Sequence, residues 1–139
     1  MIQTTEIMRG DLLYNHRMWV CPVIEVFKDS VTVIARHYGE ETFKTEDMYP
    51  IPLTVDIMSQ NNFTIEDDYF GQESVKIASR KDFNLYVVFT ASGKIYCGPW
   101  VSVQHGSDYV DDLFVIKFVH ELQHLLKSSK TDSTIKIKE

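Results

Sequence analysis

The stretch that decides the fold runs from Phe118 to Leu126, FVHELQHLL. Advancing about 100° per residue along a helix, Val119, Leu122 and Leu126 gather on one side, with Phe118 and Leu125 beside them. His120 and His124 fall on the opposite side, one turn apart. An apolar stripe of this kind needs a surface to cover, and the chain upstream reads as β structure. The segment is therefore expected to be a C-terminal amphipathic helix laid on a sheet by its leucine side, with both imidazoles pointing away from the sheet.

The same residues carry a chemical alternative. In His120-Glu121-Leu122-Gln123-His124 the two histidines have the spacing at which neutral imidazoles reach one Zn²⁺, and Glu121 stands where a general base polarises the metal-bound water. A catalytic zinc also needs a third protein ligand. After His124 only Asp132 and Glu139 qualify, in a Ser/Lys/Thr-rich stretch read as a flexible tail. A metzincin extension would put glycine at the position of Lys127 and histidine at that of Lys130. His16, His37 and His105 could contribute only through folding. By composition, roughly one chain in a hundred would show the HExxH spacing by chance. The preferred reading is a packing helix with no catalytic, cofactor or metal residue, and a zinc-dependent hydrolase through His120, Glu121 and His124 stands as the alternative.

Composition narrows the remaining classes. The 139 residues, 44% apolar, suffice for one domain with its own core. A net charge of -6 offers no broad cationic surface for phosphates, so nucleic-acid binding is disfavoured. Lys127, Lys130, Lys136 and Lys138 read as a solvated run. Cys21 and Cys97 have neither the count nor the pairing of a disulfide framework or thiolate zinc site and read as reduced, packed thiols. The start, MIQTTEIMRGD, lacks the pattern of a secretory leader, and no run approaches the ~20 apolar residues of a membrane span. A cytoplasmic protein is expected.

Along the chain, DLLY, RMWVCPVIEVF and VTVIARHY alternate as half-buried strands. Pro22 should place its strand at an edge or a bend. In Tyr49-Pro50-Ile51-Pro52-Leu53-Thr54 two prolines hold the chain extended, and Thr54 is positioned to cap a short helix from Val55 to Gln60 that Asn61-Asn62 ends. TIEDDYF, SVKIAS, NLYVVFT and KIYCGPWVSV then form a second β run, with Ala91-Ser92-Gly93 as a hairpin turn. Glu66, Asp67 and Asp68 lack the spacing of a calcium loop and read as a solvated face. DYVDDLFVIKF fits both periods; a strand to about Ile116 precedes the helix. No glycine fingerprint for phosphate and no nucleophile elbow occurs.

Three segments resemble a group of small uncharacterised proteins of Bacteroidetes-type bacteria and their mobile elements. Ile7-Met8-Arg9-Gly10-Asp11-Leu12-Leu13 loosely matches an opening RxGNxV. Tyr49 to Phe63 matches a PIPLT segment, with Asn62 where the group tends to have glycine. Phe118 to Leu126 matches a closing VHELQN helix, in which asparagine usually stands at the position of His124. The resemblance implies that the metal spacing is a local accident, and it carries no activity, substrate or cofactor.

The expected architecture is a β-rich antiparallel α+β domain over residues 1–139. It comprises an N-terminal small-barrel-like (SH3-like) unit at 1–53, a short helix at 54–62, a β-meander at 63–116, a helix at 117–128 and a flexible tail at 129–139. The expected function is a non-enzymatic interaction or accessory module, of phage or mobile-element type, with an unidentified protein partner. Trp19 and Trp100 are candidate anchors for that partner. A second alternative is a weak nucleic-acid binder using Trp19, Tyr86, Phe89, Tyr96 and Trp100 as stacking platforms; core packing is the competing role for these rings.

Overall fold

The structure, a computed structural model, describes residues 6–36, 38–70, 72–99, 103 and 113–138. The candidates His37, Trp100, His105 and Glu139 lie outside the described residues. Among the described residues two antiparallel sheets of five strands each carry two helices, an α+β architecture. The first sheet comprises β1 (Leu12–Tyr14), β2 (Val20–Val26), β3 (Ser30–Ala35), β4 (Gly39–Lys44) and β5 (Tyr49–Pro50), in the order β4-β3-β2-β1-β5. A 3-10 turn, Thr45–Asp47, turns the chain from β4 to β5. Here β4 and β5 are the two ends of the strand order, so among the described residues the small-barrel-like unit is an open five-stranded sheet. Pro22 marks a bend. Residues 20–22 of β2 pair with β1, and from Val23 the strand pairs with β3, so the missing N–H falls where β2 changes partner.

Helix α1 (Val55–Gln60) joins the halves. Thr54 Oγ1 accepts from Ile57 N at 3.2 Å, and Asn62 leaves the helix at φ 69, a left-handed conformation that glycine and asparagine tolerate best. The second sheet is an up-and-down run of β6 (Thr64–Phe70), β7 (Glu73–Arg80), β8 (Phe83–Thr90), β9 (Ile95–Pro99) and β10 (Phe114–Ile116), hydrogen-bonded in sequence order. Gly93, at φ 95, makes the β8–β9 hairpin and donates to Thr90 O at 3.1 Å. Helix α2 (Val119–Ser128) follows β10 after two residues.

A short extended pairing joins the sheets. Leu53 N donates to Lys117 O at 2.9 Å and Val119 N to Ile51 O at 2.8 Å, so the proline-bounded segment runs antiparallel to the residues entering α2. Around this seam lies the central core. Ile51, Leu53, Ile57, Met58, Phe63, Ala78, Phe83, Val87 and Cys97 meet Val119, Leu122 and Leu126 of α2. The leucine side of α2 is thus buried on the sheet, as its periodicity requires. A second cluster fills the first sheet, from Leu13, Cys21, Val23, Val31, Val33 and Met48. A third covers the opposite face of the meander, where Val75, Ile77 and Val88 meet Val103 and Leu113. Tyr86, Phe89 and Tyr96 are partly buried and pack against these clusters. Among the described residues no helix is long and apolar enough to cross a membrane.

Two expectations are corrected. The tail is not loose: Ile135 is buried, and Asn61 accepts from Lys136 N at 2.7 Å while donating to Lys136 O at 2.8 Å. Arg80 also donates to Asp132 O, and Thr131 Oγ1 to Asp82 O. Its polar composition concealed an apolar anchor and a run of backbone groups that α1 and β7 can satisfy. The polar side of α2 does not face away either, for the reason developed next.

Candidate functional site

The polar face of α2 closes on the segment leading into β1. His120 is 3% exposed, Gln123 2% and Asp11 0%. Gln123 Oε1 accepts from Leu12 N at 2.9 Å, and its Nε2 donates to Gly10 O at 3.0 Å and Ser133 O at 3.3 Å. One amide side chain therefore fastens the helix, the first strand and the tail together. His124 Nε2 lies 2.7 Å from Asp11 Oδ2, an oxygen that also accepts from Met8 N at 2.8 Å. Lys127 Nζ reaches Arg9 O. The four contacts with residues 9–12 make a clamp across 110 residues or more of sequence, each with a partner that sequence spacing alone did not name.

The metal alternative meets this geometry at three points. The His120 and His124 rings are 5.7 Å apart, centroid to centroid, and Asp11 supplies a carboxylate that the sequence reading did not nominate. Yet among the described residues no three His, Cys, Asp or Glu side chains are disposed to hold a metal ion. Glu121 turns back to the start of its helix, where one carboxylate oxygen accepts from Lys117 N at 2.8 Å and Phe118 N at 3.0 Å. Those amides have no intrahelical acceptor, and a carboxylate at the positive end of the helix is favoured there. Asp132 caps its own turn by accepting from Thr134 N, which holds its carboxyl below the usual value. His16 lies against Phe43 of the first sheet, the rings 6.0 Å apart and tilted by 59°. Burial drives the His120 imidazole toward its neutral form, opposed by the nearby negative charge of Asp11, Glu121 and Glu6 and assisted by His124. His120 Nδ1 and Asp11 Oδ1 are buried without a hydrogen-bond partner among the described residues. Neither cysteine is an available nucleophile: both are buried, and burial pushes the Cys97 thiol up to about 12.

A different site stands at the tip of the β1–β2 hairpin. Asn15, itself buried, accepts from Arg17 N and Trp19 N on one side-chain oxygen, at 3.0 Å each. Its backbone pairs with Trp19 and Met18. Met18 is thereby held at φ 60 with its side chain 57% exposed. A non-glycine residue in this region costs on the order of 1 kcal/mol, a strain that persists only where its surroundings enforce it. Trp19 is half-buried on the first-sheet core and stacks on the exposed Tyr38 of the β3–β4 turn, centroids 5.9 Å apart and planes 17° from parallel. Arg17 lies over both rings, at 5.1 Å and 4.9 Å from their centroids, and Arg36 over Trp19 at 5.3 Å. Each such contact is worth roughly 0.5–1 kcal/mol at an exposed site. Two hairpin turns thus present a fixed array of Trp, Tyr, Met and two Arg. Trp19 was visible in the sequence as an anchor. Arg17, Met18, Arg36 and Tyr38 were not, because nothing local says that the two turns meet.

Comparison with protein-family profiles, with curated proteins and with solved structures returns no match.

Proposed function

We propose that this chain is a non-enzymatic interaction module that binds a protein partner through the paired hairpin tips. The observation that carries the reading is the Trp19–Tyr38 stack with Arg17 and Arg36 over it. Trp, Tyr and Arg are the residues most enriched where truncation costs binding energy, because each gives a large contact area together with a polar handle. The array is also rigid before any partner arrives. Asn15 fixes the backbone and the guanidinium groups fix the rings, so little conformational entropy is lost on docking. On the polar face of α2, by contrast, Gln123 and His124 bond to residues of the chain itself. That assigns it to holding the two sheets together, with His124 and Gln123 as structural residues.

The test places a photo-cross-linking residue at position 18 in one variant and at position 69 in another. Both sites are exposed, Met18 at 57% and Tyr69 at 72%, but Tyr69 lies on β6 of the other sheet. A discrete adduct from position 18 that is lost on adding Arg17→Ala and Tyr38→Ala, with none from position 69, is the expected result. Equal labelling from both positions, or none from position 18, contradicts the reading.

A further inference from the structure

We infer that residues 132–138 lie in a peptide-binding groove, and that this groove accepts in their place an extended segment of another polypeptide with two branched apolar residues two positions apart and lysines at the alternate positions. Three observations lead there, none of them drawn from the hairpin tips.

The first is how the segment is held. It belongs to neither sheet, and side chains of the body hold its backbone. Arg80 donates to Asp132 O at 2.9 Å and Gln123 to Ser133 O at 3.3 Å. Asn61 donates to Lys136 O at 2.8 Å and accepts from Lys136 N at 2.7 Å, and Gln60 accepts from Lys138 N at 3.3 Å. Every non-proline residue offers the same backbone groups, so contacts of this kind hold an extended chain whatever its sequence. Sequence enters through alternate side chains. Ile135 is 5% exposed in the central core and Ile137 packs against it, whereas Thr134, Lys136 and Lys138 are exposed.

The second is that the groove does not depend on its occupant. Asn61 Nδ2 also donates to Ile57 O at 2.7 Å. The Arg80 guanidinium lies 4.9 Å from the centroid of the Phe63 ring and donates to Asp82 at 2.6 Å. Gln123 is fixed by Leu12 N and Gly10 O. Three of the four side chains that hold the segment are thus oriented by partners outside it, and a replacement segment meets a surface already arranged.

The third is fit and charge. A cavity of about 360 Å³ opens between the end of α1 and the segment, lined by Asn62, Arg80, Asp132 and Lys136 among others. The occupant therefore does not fill its seat as side chains fill a core. The net charge of -6 favours lysines at the exposed positions of whatever lies there. Because the segment follows α2 directly, its effective concentration at the groove is on the order of millimolar, and another polypeptide enters by displacing it.

The experiment measures fluorescence anisotropy of a labelled peptide, Ser-Thr-Ile-Lys-Ile-Lys, with the full chain and with its Ile135→Ser, Ile137→Ser variant; Ser-Thr-Ser-Lys-Ser-Lys is the control of equal charge. The variant should bind the isoleucine peptide at least about tenfold more tightly than the parent, because its own segment no longer competes, and should not retain the control. Adding Gln60→Ala and Asn61→Ser should weaken binding at least about tenfold, since three backbone contacts are lost. Cooperative thermal unfolding checks the fold of each variant. The unsubstituted chain gives a second readout. Millimolar isoleucine peptide should move its Lys136 amide resonance toward the position of a disordered chain while the Val33 methyl resonances stay in place. Equal affinity of parent and variant, equal binding of the two peptides, or a Lys136 amide that does not move overturns the inference.

Discussion

Replacing Gln123 with methionine tests the clamp between α2 and the first strand. Methionine matches glutamine in length and nearly in volume, so the substitution removes hydrogen bonds without opening a void. Three bonds go: those to Leu12 N, Gly10 O and Ser133 O. The Leu12 amide is in a buried bond, and leaving it unpaired costs roughly 1–3 kcal/mol. The two carbonyl contacts are only part-buried, so water can replace them in part, at about 0.5–1 kcal/mol each. The expected loss is about 3 kcal/mol, a large share of the 5–15 kcal/mol that typically holds a domain together. Urea unfolding should show a lower midpoint at unchanged slope, and thermal unfolding a drop of roughly 10 °C. Native-state hydrogen exchange should localise the effect, with the Leu12 amide losing protection while amides in the centre of β8 follow only the global change. A variant within about 0.5 kcal/mol of the parent, with Leu12 still protected, would refute the clamp.

His120 predicts a pH dependence. Its folded-state pKa is lowered from 6.5, chiefly by burial, so the unfolded chain binds the proton more readily. Its contribution to stability is complete above the unfolded value and is lost as pH falls below it, at up to about 1.4 kcal/mol per pH unit for one proton. His120→Phe, which keeps a ring on Phe118, should flatten the slope of unfolding free energy between pH 7 and 5; an unchanged slope counts against a buried neutral imidazole. At Gly98 an added Cβ would collide with the Leu113 side chain. Gly98→Ala should cost about 1–3 kcal/mol, and combining it with Leu113→Ala should cost less than the sum of the two. Additive costs in denaturant melts would show that β9 and Leu113 do not touch.

What the sequence made legible was local. Thr54 announces α1 because its hydroxyl needs only the amide three residues on, and Gly93 announces the hairpin because only its own φ is at stake. The leucine stripe of α2 was legible for the same reason, since a periodicity demands burial whatever lies opposite. The polar stripe was misread as facing away because periodicity says nothing about a second neighbour. Asp11 and His124 are 113 residues apart, and an aspartate after a glycine near the amino terminus has no local mark of burial. The docked tail was hidden likewise: Lys136 is held by its backbone through Asn61, and backbone groups leave no trace in composition. At the tips, Trp19 stood out as a residue, but the meeting of two turns that makes it a site is a property of the β2–β3–β4 register.

The most direct test of the central claim is a two-dimensional ¹⁵N NMR titration of the intact chain with the partner that the position-18 adduct identifies. Shifts concentrated on Arg17, Met18, the Trp19 indole, Arg36 and Tyr38, with Asp11, Gln123 and His124 unmoved, are the predicted result. The largest shifts falling instead on Asp11, His120 and His124 would contradict it and return function to the helix.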